Sequence, residues 1–171
     1  MTDARSHFLR PSLAFLLGAL YLVYKTLLFA GGWQSLPLFA LFPIWPLLLV
    51  MAILMSMETF RRPQEPVLAT TLFKNNARFA LLTALSVSLC VWIYHQFVDV
   101  SAFREMIEER LQAYKQNPQT IPLAEYEKNL NKVFNPFFYA TMTLSGLLAW
   151  GLLLSAGLTG LKVLFRRINW A

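Results

Sequence analysis

Five residues have types and positions that could carry chemistry: Lys25, Pro43, Pro46, His95 and Asp99. Lys25 is a charge inside an apolar stretch, and an ionisable residue among apolar neighbours is a functional candidate by default. Two readings of it stay open. Its long stem can carry the ammonium to an interface beside Tyr21, Tyr24 and Trp33. Alternatively it faces a pocket, where it binds an anion or pairs with Asp99. His95 stands in Tyr94-His95-Gln96, and a general base needs a partner that orients it. Asp99, four residues on, would share its helical face if the helix continues. No nucleophile motif accompanies the pair, so the plainer expectation is an interfacial polar cap. Pro43 and Pro46 would free the carbonyls of Phe39 and Phe42. Broken helices of that kind line transporter sites, but they also occur as simple kinks.

The other reactive residue types lead to less. Glu58 with Arg61 and Arg62 reads as a headgroup-facing cluster. Glu105, Glu108 and Glu109 could hold a divalent cation, but they read first as a solvated helical face. Cys90 is the lone cysteine and packs as a small apolar side chain. With one Cys and two His in the chain, no spacing suggests a metal site. The sequence has no H-E-x-x-H, G-x-S-x-G, Walker loop or G-x-G-x-x-G. No reaction, cofactor or metal is assigned on this basis.

The elements that hold these residues are apolar blocks. Of 171 residues 57% are hydrophobic and 14% are charged, against about 25% charged in a soluble domain. That excludes a disordered chain. No charge occurs between Lys25 and Glu58, between Arg78 and Asp99, or between Lys132 and Lys162. A membrane span needs about 20 apolar residues. The sequence therefore predicts an all-α, polytopic membrane protein of one domain, 1–171, with four spans at roughly 11–29, 36–57, 77–98 and 136–164. The first is expected to stay uncleaved, because Leu28-Phe29-Ala30 lacks the small residue of a cleavage site.

The net charge of +6 flanks these blocks, which points to lipid headgroups and away from nucleic acid. Arg5, Arg10, Arg61, Arg62, Lys74, Arg78, Lys162, Arg166 and Arg167 would share one face, and the positive-inside rule makes that face cytoplasmic, with both termini on it. The connection between spans three and four then lies outside the cytoplasm.

That connection, 99–135, carries two helical stripes. Phe103, Met106, Ile107, Leu111 and Tyr114 form one, and Leu123, Tyr126, Leu130, Val133, Phe134 and Phe137 form the other. Asp99 or Ser101 can cap the first helix, Asn117-Pro118 breaks it, and Pro122 suits the start of the second. An amphipathic hairpin is expected, its apolar faces resting on each other, the membrane or a partner. Spans pack in lipid through small residues. Ala80, Ala84 and Ser88 form one such row, and Ser145 with Ala149, Gly151 with Ser155 and Thr159, and Ala156 with Gly160 form others. Intrachain packing is the expected use, with a homo-oligomer as the alternative.

This layout resembles the bacterial membrane family catalogued as domain of unknown function 4199. The resemblance lies mainly in the C-terminal half. Phe97-Val98-Asp99 leads into the acidic helix Phe103 to Tyr114, and Asn135-Pro136 opens the last span, which continues through Ser145-Gly146 to Lys162. Pro43-Ile44-Trp45-Pro46 has no counterpart in that pattern. The resemblance implies a bacterial inner membrane and carries over no activity. Two functions follow as expectations. The first is a non-enzymatic scaffold or accessory subunit presenting the outer hairpin to another envelope membrane protein. The second is a small transporter or lipid-handling protein using Lys25 and the kinked second span.

Overall fold

A computed structural model describes residues 11–32, 44–60, 68–116 and 121–168. Among these the protein is all-helical, with no strand. The order is α1 (Pro11–Ala30), α2 (Trp45–Phe60), α3 (Ala69–Phe97), α4 (Ala102–Gln116), α5 (Leu123–Val133) and α6 (Pro136–Ile168). Three helices are long and apolar enough to cross a membrane: α1, α3, and α6 over Pro136–Phe165. Many of their large apolar side chains face outward, including Leu16, Leu20, Leu27, Leu85, Leu89 and Leu153. Apolar exposure on that scale is stable against lipid, not against water.

α2 has 16 residues, so it rises about 24 Å. That is short of a hydrocarbon core of about 30 Å. Residues 36–43, which the sequence assigns to the same span, lie outside the described residues, as do Trp33, Arg61, Arg62 and Asn117-Pro118. Pro46 stands in the first turn of α2, where its missing amide proton costs no intrahelical bond. The expected break inside the helix is therefore absent at Pro46, and Pro43 lies outside the described residues. The third span is also corrected. Its helix starts at Ala69, eight residues before Ala77. The stretch Ala69 to Asn76 contains no Gly or Pro, and polar residues alone do not stop a helix whose buried face continues. Leu72 and Asn76 extend that face.

α3 is the spine of the bundle: α1 packs along one side, α6 along another, and α2 rests mainly on α6. The close approaches occur at small residues. A Cβ on Gly18 of α1 would fall 2.0 Å from Ser86 Oγ, and one on Gly151 of α6 would fall 2.4 Å from Ala80 Cβ. Ser88 Oγ donates to the Ala140 carbonyl at 2.7 Å, tying α3 to α6 further out. Ala80, Ala84 and Ser155 are fully buried in these seams. The predicted rows divide accordingly. Gly151 and Ser155 face inward, whereas Ser145, Ala149, Ala156 and Gly160 are exposed. Around Gly146, Gly157 and Gly160 there is open space.

α6 begins as its sequence dictates. Asn135 Oδ1 accepts the Phe138 amide at 2.8 Å, a side-chain N-cap, and Pro136 fills the first helical position. α4 and α5 are mostly exposed. Phe103 is the buried residue of α4 and Leu130 that of α5. They meet where Tyr114 stacks on Tyr126, ring centroids 4.6 Å apart, and the Tyr114 hydroxyl donates to the Ile121 carbonyl.

Candidate functional site

At the end of the bundle nearest α4, residues from four elements converge. α1 supplies Tyr21 and Lys25. α3 supplies Cys90, Val91, Tyr94 and His95. α4 adds Phe103 and α6 adds Tyr139. Tyr21 and Lys25 are one helical turn apart, so both face α3. Lys25 Nζ lies over the Tyr94 ring, 5.1 Å from its centroid, a cation–π contact.

Lys25 and His95 line one narrow, shallow crevice open to the outside, with no enclosed chamber and no room for a water-sized group. The half-buried lysine thus rests its ammonium across an aromatic face at the edge of the crevice.

The pairing of His95 with Asp99 that a continued helix would give does not form. The helix ends at Phe97, so Asp99 leaves the helical register. Its amide bonds back to the Tyr94 carbonyl at 3.0 Å. Its carboxylate Oδ2 accepts the Tyr94 hydroxyl at 3.3 Å. Asp99 acts electrostatically on Lys25, but among the described residues no carboxylate lies within ion-pair distance of the ammonium.

The polar-cap expectation for this segment is also corrected. Tyr94 is 1% exposed and His95 7%, because α1, α4 and α6 close over them, and of the three residues only Gln96 is open. The imidazole sits among Tyr94, Phe103 and Tyr139, with ring centroids at 4.9, 4.8 and 5.1 Å. The Asp99 backbone lies beside it, yet Nδ1 meets no hydrogen-bond partner at bonding geometry.

The chemistry gathered here is polar and aromatic. It offers an ammonium, an imidazole nitrogen and phenols around a crevice. Among the described residues no group of three His, Cys, Asp or Glu could hold a metal ion. Tyr21, Phe103 and Tyr139 are site members that the sequence reading did not assign to it. The signal was partial: Tyr21 precedes Lys25 by one turn, and Phe103 opens the apolar stripe of α4. Nothing in the sequence places Tyr139.

A second polar cluster closes the opposite end. Asn76 Nδ2 of α3 donates to Thr59 Oγ1 of α2 at 3.0 Å, both fully buried. Lys162 Nζ of α6 donates to the Thr59 carbonyl at 2.7 Å, near the C-terminal end of α2, where cations are favoured. Sequence reasoning read Lys162 as a topology marker and did not single out Thr59 or Asn76. Their contact spans 17 residues across a connection, and no helical spacing reports it.

Comparison of the chain with protein-family models, with curated proteins and with solved structures finds no match.

Proposed function

We propose that this chain is a membrane scaffold or accessory subunit whose outer helices α4 and α5 receive another envelope membrane protein. The observation that carries this reading is the exposure pattern of those helices. Their ring stack and the Tyr114 hydrogen bond to the Ile121 carbonyl hold them together, and Phe103 fastens α4 to the bundle through His95 and Tyr139. Yet Met106, Ile121, Leu123 and Val133 remain 40–47% exposed. A held amphipathic pair with apolar area left over suits helix-face recognition.

The finer topology belongs to the same proposal. It comprises a fourth span completed by residues 36–43, an extracytoplasmic hairpin 99–135, cytoplasmic termini, a bacterial inner membrane and kinship with the family of unknown function 4199. The charge asymmetry between connections supports that orientation.

The test deletes residues 101–132 and follows proteins cross-linked to the chain in intact cells. Loss of specific cross-links from a variant that still inserts supports docking. An unchanged set of cross-linked proteins removes it. A lipid-handling role is favoured by one observation, the half-buried place of Lys25 at the edge of the crevice.

A further inference from the structure

We draw no further inference here: the strongest candidate, the outward face of α6 where Gly146, Ala149, Ala156 and Gly160 lie exposed, is a row of small residues, and nothing in the structure shows what covers it.

Discussion

Replacing Gly151 by Ala should loosen the bundle at its closest seam. The added Cβ would stand 2.4 Å from Ala80 Cβ and 3.3 Å from Met51 Cε. The methionine end can swing away, but the Ala80 methyl is fixed to the α3 backbone. An ordinary carbon–carbon contact is about 3.8 Å, so α3 and α6 must part by about 1.4 Å along that line. Overpacking of this kind costs about 1–3 kcal/mol, partly offset by the gain of up to about 1 kcal/mol when Ala replaces Gly in a helix. The expected net loss is about 1–2 kcal/mol.

Gly157→Ala is the internal control, since its added Cβ meets nothing within 4 Å; it should be neutral or slightly stabilising. Reversible unfolding in mixed detergent micelles reads both. Ala80→Gly in the Gly151→Ala background removes the clashing methyl and should restore most of the loss. If Gly151→Ala is as stable as Gly157→Ala, or if Ala80→Gly does not compensate, this α3–α6 register is refuted.

The same unfolding assay checks three further outcomes. Tyr94→Phe removes the donor to Asp99 Oδ2 and should cost about 1–2 kcal/mol, because it leaves a buried carboxylate short of a partner. Thr59→Val strips the acceptor from the buried Asn76 amide and should cost about 1–3 kcal/mol, while Asn76→Leu in the Thr59→Val background should recover part of it by removing the orphaned amide. Asn135→Ala deletes the cap on the Phe138 amide and should cost about 1 kcal/mol.

The sequence made the apolar helices legible because their signal is local. Uncharged runs report α1, α3 and α6 directly, and the 3.6-residue stripes report α4 and α5. Boundaries were less legible. Lys74 and Arg78 looked like the edge of a loop, yet α3 starts earlier because Leu72 and Asn76 bury a continuous face. Lys25, His95 and Asp99 stand out in the sequence as ionisable residues in or beside apolar blocks, and the structure places them at one end of the bundle. The contacts of Asp99 were not legible, because it falls past the helix end and turns back onto Tyr94. Tyr139 and the Thr59–Asn76–Lys162 cluster were invisible because they depend on which helix neighbours which.

That neighbour relation also explains why the polar contacts sit where they do. In lipid, apolar side chains gain little by meeting each other, so helix order is set by close contact and by hydrogen bonds. α3 meets α1 and α6 at Gly18–Ser86 and Gly151–Ala80 in its middle, where an unpaired polar group would be most costly. Clusters of polar side chains lie toward its two ends: Tyr94–Asp99 with Lys25 at one, Asn76–Thr59 with Lys162 at the other. The two ends differ in kind. At Thr59 the lysine has an acceptor and ties α2 to α6, a helix pair with little other support from α3. At Lys25 the ammonium has an aromatic face but, among the described residues, no carboxylate at ion-pair distance. One end is therefore a lysine fastened to a helix-end carbonyl, and the other a lysine resting on an aromatic face.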